Sequence, residues 1–321
     1  MKAVRVHEHG GPDVLTLDEV PDPEARDGRV VVRLEATGVN FVDVYHRTGL
    51  YPRDLPFVPG SEGAGVVVDA PRDSGLTAGD RVASAQLPGA YAEAVAAPPD
   101  ALVPIPDGVA TDVAAAVMVQ GITAHYLLRS TCELDAGDWC VVHAAAGGVG
   151  LLLTQMARAM GVRVLGTTST AEKAEKARAA GAEDVVVHSE RDFVAVAREV
   201  TGGRGVRAVF DGIGKDTFDR SLASLAPRGY MVLYGQASGV VPPFDPRRLA
   251  KGSLFLTRPG IADYTQTRAE MLWRAEDVLG AVAGGGLEVH VHGRYPLSEA
   301  RRAHEDLQSR KTTGKLLLVP G

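Results

Sequence analysis

Cysteine is almost absent from the chain: only Cys132 and Cys140 occur among 321 residues. Two thiols cannot build a four-thiolate zinc site, and Cys140 lies in the apolar run Trp139-Cys140-Val141-Val142, so both read as buried, inert thiols. No excess of positive charge is present either. The net charge is −6 and the basic residues are interleaved with acids, which disfavours a nucleic-acid partner. Apolar runs long enough to span a bilayer are missing, and Met1–Glu8 reads as an alternating strand rather than a targeting segment, so the expected location is cytoplasmic. Internal repeats and low-complexity segments are lacking as well. What remains is a globular composition, 45% apolar and 23% charged, at a length that fits two domains.

The chain is organised around His143–Gly150, HAAAGGVG, which follows the apolar run ending at Val142 and opens onto a helical pattern from Leu151 to Met160. Ala145, Gly147 and Gly150 stand where a dinucleotide fingerprint has its three small residues. Small side chains serve a tight turn, let a pyrophosphate approach bare backbone N–H groups, and let the helix pack closely on its strand.

Before this turn, the first hundred residues read as an all-β module with strands at Val30–Leu34, Gly65–Val68, Arg81–Ser84 and Tyr91–Ala96. Three prolines between Leu50 and Gly60 predict a rigid irregular loop. A capped helix follows from Thr111. After the turn, strands at Val162–Gly166, Asp184–Val187, Ala208–Phe210 and Tyr230–Tyr234 alternate with helices at Ala171–Ala180, Phe193–Val200 and Phe218–Leu225, the rhythm of βαβ crossovers. A strand at Ser253–Thr257, a long helix over Asp263–Val282, a helix over Ser298–Gln308 and a last strand at Lys315–Val319 complete the expectation.

In a doubly wound sheet the ligand lies over the carboxyl ends of the strands, so the segments ending each strand become candidates. Thr167-Thr168-Ser169 ends the second strand with hydroxyls where an NAD-preferring site has a carboxylate, and Lys173 follows. That combination accepts a 2′-phosphate and predicts NADPH over NADH.

Taken together, Gly38–Asp43, Gly60–Val67, Gly121–Ala124, HAAAGGVG, Gly229–Gly235, Gly252–Leu254 and Ser309-Arg310 with Gly314-Lys315 resemble the zinc-independent quinone oxidoreductases of the medium-chain dehydrogenase/reductase superfamily over nearly the whole length. The resemblance implies an α/β protein: a GroES-like, β-rich catalytic domain in two parts, residues 1–121 and 263–321, interrupted by a doubly wound Rossmann domain over residues 122–262 that binds NADPH. Zinc-dependent relatives carry a cysteine where this chain has Asn40 and a histidine where it has Ser61, so no metal is expected.

The resemblance also implies the site residues. Asn40, Tyr45 and Tyr51 are the catalytic candidates, with the tyrosines either donating a hydrogen bond to a quinone or enone oxygen or only walling the pocket. Asn40 and Asp43 would lie near the nicotinamide and Thr123 near the linking groups. Gly147, Gly148 and Val149 would meet the pyrophosphate; Thr168, Ser169, Lys173 and Arg310 the adenosine phosphate; His188 the adenine or the phosphate; Gly212, Tyr234, Gly235 and Gln236 the nicotinamide ribose side. The expected function is NADPH-dependent reduction of quinones or conjugated carbonyls, with reduction of activated C=C bonds in enoyl thioesters or alkenals as the alternative. An NADPH-binding structural or regulatory protein is the remaining one. The apolar strand at Ser253–Thr257 predicts pairing with its copy in a homodimer.

Overall fold

Apolar residues alternate along the N-terminal strands, and the computed structural model, which describes residues 1–321, pairs them as this spacing requires. β1 (Lys2–Val6) forms an antiparallel ribbon with β2 (Leu15–Glu19). β3 (Val30–Val39) is the spine of a larger sheet, and α1 (Phe41–Arg47) follows it directly. Then come β4 (Gly63–Asp69), β5 (Arg81–Ser84), β6 (Ala94–Ala97), β7 (Val103–Pro104) and α2 (Thr111–Tyr126). Val30, Val32 and Leu34 of β3 point into one core with Val67, Val82 and Val95.

The βαβ alternation begins with β8 (Trp139–Val142) and α3 (Gly148–Ala159), continues through β9 (Arg163–Thr168), α4 (Ala171–Ala179), β10 (Asp184–Val187) and α5 (Phe193–Val200), and ends with β11 (Val206–Asp211), α6 (Phe218–Ser224), β12 (Leu225–Leu233) and β13 (Phe255–Thr257). All these strands run parallel in the order β10-β9-β8-β11-β12-β13, the dinucleotide-binding arrangement. Val141, Leu165, Val186, Val209 and Met231 form the core of this sheet with Phe193 and Phe218. The chain closes with α7 (Arg268–Ala283), β14 (Val291–Pro296), α8 (Ala300–Gln308) and β15 (Lys315–Val319).

β15 pairs antiparallel with β3, Leu316 opposite Val39, which sews the tail into the first sheet in the order β14-β15-β3-β4-β5-β7. Two compact units result: Met1–Gln120 with Thr267–Gly321, and Gly121–Gln266.

Several expected elements differ. The first hundred residues are not all β, because α1 forms between β3 and β4; the Asp43 carboxylate accepts the Asn40 N–H at 2.8 Å, half of a capping box. The helix expected from Asp263 starts at Arg268, after a 3₁₀ turn over Ile261–Tyr264, because Thr267 and Glu270 cap each other's N–H groups. The strand expected from Ser253 starts at Phe255, since Ser253 takes a left-handed φ of 51°. Between Tyr91 and Ala96 the ladder begins only at Ala94.

Candidate active site

In the unit formed by Gly121–Gln266, the strand order reverses between β8 and β11, and ligands of such sheets bind outside the carboxyl ends at that point. The first segment there is the glycine turn. Ala144 is left-handed at φ 50°, and Gly147 N–H donates to Ala144 O at 2.8 Å. A Cβ on Gly150 would stand 2.8 Å from Ala145 Cα, so only glycine lets α3 pack this closely on β8. Gly148 and Val149 open α3, where the first N–H groups lack an intrahelical acceptor and suit a phosphate.

At the end of β9, Thr167 and Thr168 are buried and Ser169 is exposed. Thr170 caps α4 by accepting the Lys173 N–H at 3.3 Å, which sets Lys173 one turn above the strand end. Lys173 is half-buried, and that partial burial lowers its ammonium pKa against the raising influence of Glu172. His188 ends β10 exposed, its N–H donating to Thr168 O at 3.1 Å. Gly212 and Gly235 bring the ends of β11 and β12 together; a Cβ on Gly235 would lie 2.6 Å from Gly212 O and one on Gly212 2.9 Å from the Tyr234 ring. Gln236 follows half-buried, and Thr123 is buried on α2.

Beneath these segments runs a polar network that no sequence pattern marked. Asp211, wholly buried, accepts from the N–H groups of Ile213 at 2.8 Å and Gly214 at 3.0 Å, from Thr217 Oγ1 at 2.7 Å and from Ser221 Oγ at 2.9 Å. Because the Ser221 hydrogen goes to Asp211, His143 Nε2 must donate to Ser221 Oγ, 2.9 Å away. His143 Nδ1 then accepts from Thr167 Oγ1 at 2.8 Å. Burial lowers the His143 pKa, so its ring is the neutral tautomer that these bonds require. The network ties the ends of β8, β9 and β11 to α6.

The second set of candidates lies in the unit of Met1–Gln120 and Thr267–Gly321. Tyr51 N–H donates to Tyr45 O at 3.0 Å, and the two rings meet edge-on with centroids 5.2 Å apart. Phe41 and His46 extend this aromatic cluster at 6.4 and 6.2 Å. Burial, helped by Arg53, lowers the His46 pKa to about 4, so the cluster is uncharged there at neutral pH. The loop after Tyr51 is irregular, as its prolines predict, and Leu55–Pro56 is cis.

Asn40 and Asp43 sit at the start of α1 among buried charges. Asn40 Nδ2 donates to Glu62 Oε2 at 2.8 Å, and Lys315 Nζ donates to Asn40 Oδ1 at 2.8 Å and to Glu62 Oε2. A second chain runs from Arg47 through His304 and Tyr91 to Asp43: Arg47 Nη1 donates to His304 Nδ1 at 3.2 Å, His304 Nε2 to Tyr91 at 3.0 Å, and Tyr91 to Asp43 Oδ2 at 3.0 Å. Burial holds His304 neutral, with a pKa lowered to about 3, and raises that of Asp43 to about 6. Glu62, Tyr91, His304 and Lys315 all escaped the sequence reading as functional residues, because their partners are distant in the chain. Arg310 lies exposed in the same unit, after α8, with a left-handed φ of 58°. The structure thus gathers Asn40, Asp43, Tyr45 and Tyr51 in one unit and the strand-end candidates in the other, with Arg310 on the former.

Two family profiles match the chain: "Alcohol dehydrogenase GroES-like domain" over residues 26–107 and "Zinc-binding dehydrogenase" over residues 148–272. The donors near Asn40 do not fit the zinc of the second description. Asn40 and Ser61 offer no thiolate or imidazole, and the Lys315 ammonium occupies the polar side of Asn40 and would repel a cation. His290 and His292 are engaged by Thr313, through its Oγ1 at 3.1 Å and its N–H at 3.5 Å.

The chain is 42% identical to a quinone oxidoreductase of Pseudomonas aeruginosa, with 99% of both covered, and 41% identical to a 2-haloacrylate reductase of a Burkholderia species, covering 99% of this chain and 98% of that one. The structure of an Escherichia coli quinone oxidoreductase complexed with NADPH superposes with a TM-score of 0.97 at 40% identity, with both chains fully covered. With this identity over the full length and a Rossmann sheet beside a GroES-like unit, the chain belongs to the quinone oxidoreductase family of the medium-chain dehydrogenase/reductase superfamily.

Proposed function

We propose that the protein is an enzyme that uses NADPH to reduce quinones or related conjugated carbonyls without a metal ion. The observation that carries the cofactor choice is the end of β9. The strand end itself, Thr167–Ser169, carries hydroxyls where a carboxylate would repel a 2′-phosphate, and the half-buried Lys173 follows one turn into α4. Bound NADPH supplies the hydride, and the chain supplies binding, orientation and a proton.

In the Rossmann unit, roughly residues 122–262, Gly147, Gly148 and Val149 would hold the pyrophosphate and Thr168, Ser169 and Lys173 the 2′-phosphate. His188 would lie along the adenine, with Thr123, Gly212, Tyr234, Gly235 and Gln236 around the linking and nicotinamide groups. In the catalytic unit, roughly residues 1–121 and 263–321, Asn40, Tyr45 and Tyr51 would meet the acceptor, with Asn40 and Asp43 beside the nicotinamide and Arg310 on the adenosine phosphate. The Tyr45–Tyr51 pair would suit a flat, conjugated acceptor, either walling its pocket or donating from a phenol to its oxygen, where charge builds as hydride arrives. The 2-haloacrylate reductase relative supports a second reading, reduction of an activated C=C bond.

Titration of NADPH against NADH, on the protein and on Lys173→Glu, tests the cofactor. Tighter NADPH binding that the substitution abolishes is expected; equal affinity for both cofactors would refute the assignment.

The apolar edge strand β13 supports a homodimer. Phe255 is 51% and Leu256 36% exposed, and an uncovered apolar edge invites pairing with its copy. Light scattering that returns a monomer at micromolar concentration would contradict this. No helix is long and apolar enough to cross a membrane, which is compatible with the cytoplasmic location we propose.

A further inference from the structure

Lys315 is 1% and Glu62 0% exposed, and they form an ion pair inside the β-rich unit. A buried pair of this kind is weak as a source of stability, since well-packed apolar residues would serve as well. The surroundings are nonetheless built to keep it. Glu62 Oε1 accepts the Val119 N–H of α2 at 2.6 Å, and Glu62 Oε2 accepts from both Asn40 and Lys315. Gly38 leaves the space: a Cβ there would stand 2.6 Å from Lys315 Cε. What the pair defines is the Asn40 carboxamide. Its oxygen faces an ammonium and its nitrogen faces a carboxylate, so the reversed orientation would set donor against donor and acceptor against acceptor.

We propose that Lys315, with Glu62, is a positioning residue for the reduction. By holding Asn40 Oδ1 it fixes the amide so that the second Nδ2 hydrogen, the one not given to Glu62, donates to the acceptor oxygen as negative charge develops there. The ammonium stands beside the position at which zinc-dependent relatives carry a cysteine ligand, and its part is to orient a neutral donor rather than to bind the acceptor. This inference rests on Asn40 meeting the acceptor, as proposed above.

The test compares Lys315→Met, Lys315→Arg and Glu62→Gln/Lys315→Met with the parent for melting temperature, NADPH affinity, kcat and KM. Lys315→Met leaves a lone buried carboxylate and should lower the melting temperature. The double variant removes both charges and should regain that stability while kcat stays about tenfold or more below the parent at unchanged NADPH affinity. Lys315→Arg, which can still donate to both partners, should recover part of kcat. A double variant with parental kcat would overturn the proposal, because the pair would then be structural only. Should the double variant fail to fold, the parent decides. In the ¹⁵N-asparagine-labelled protein, whose only asparagine is Asn40, the side-chain amide protons should exchange slowly with water, and rapid exchange would overturn the fixed orientation. A parent that binds NADPH but turns over no acceptor would sink the proposed function, and this inference with it, whereas a parent that turns over acceptor while the double variant keeps parental kcat would sink the positioning alone.

Discussion

Asp43 is the most exacting place to perturb the protein, because its charge is held at a cost. It is 1% exposed, and its Oδ1 has no hydrogen-bond partner. Burial raises its pKa from 3.8 to about 6, even though the bonds from the Asn40 N–H and Tyr91 and the field of Lys315 pull it down. Between these two values the native state retains a proton that the unfolded chain has already released, so stability falls as pH rises through this window. The difference amounts to about 3 kcal/mol. Asp43→Asn removes the titration, while its amide oxygen can accept both bonds that Oδ2 now receives. Relative to the parent, the variant should therefore gain about 3 kcal/mol between pH ~4 and pH ~8. A constant offset from the amide nitrogen, which takes the place of the orphan oxygen, does not affect this slope.

Urea unfolding followed by tryptophan fluorescence measures it in a Trp139→Phe background. Trp273 then reports alone on the unit that contains Asp43, which matters because a chain of two units need not unfold in one step. His304, whose pKa is lowered by burial and Arg47 rather than by Asp43, contributes equally to both proteins and cancels. A difference between variant and parent that stays flat with pH would refute the reasoning.

Gly150→Ala should lower stability by about 1–3 kcal/mol, since the new Cβ meets backbone that cannot yield, and should weaken NADPH binding; unchanged binding would show that the turn tolerates the insertion. Ser221→Ala should cost about 1–3 kcal/mol, read from Trp139, by stranding His143 Nε2 and removing one of the two hydrogen bonds to Asp211 Oδ2; a parental unfolding curve would show that the network is dispensable. Tyr45→Phe with Tyr51→Phe should lower kcat at least about tenfold without changing NADPH affinity. An effect confined to KM would reduce the two rings to walls of the pocket.

Much of this architecture is legible in the sequence, for specific reasons. The parallel sheet shows because each buried strand is an apolar run and each crossover helix has its own period, and the turn shows because Gly150 can be nothing larger. α1 was hidden by its length of seven residues, although Asn40 three places before Asp43 is a cap signal that could have revealed it. The late start of α7, at Arg268, was hidden because it depends on the Thr267–Glu270 cap rather than on the apolar pattern. The buried ionic cluster was not legible at all. Asn40, Glu62 and Lys315 are joined only when β15 pairs with β3, and a lone lysine or glutamate in a sequence reads as surface. The His143–Ser221–Asp211 network was equally silent, since it links three strand ends and a helix through hydroxyls that carry no periodic signal.

The central claim is that this chain moves hydride from NADPH to a conjugated acceptor using its own side chains. Steady-state oxidation of NADPH in the presence of a panel of quinones, with 2-haloacrylate as the C=C acceptor, tests it most directly. The account predicts turnover with quinones that survives chelation of metal ions and is much weaker with NADH. Tight NADPH binding with no turnover of any acceptor would contradict it.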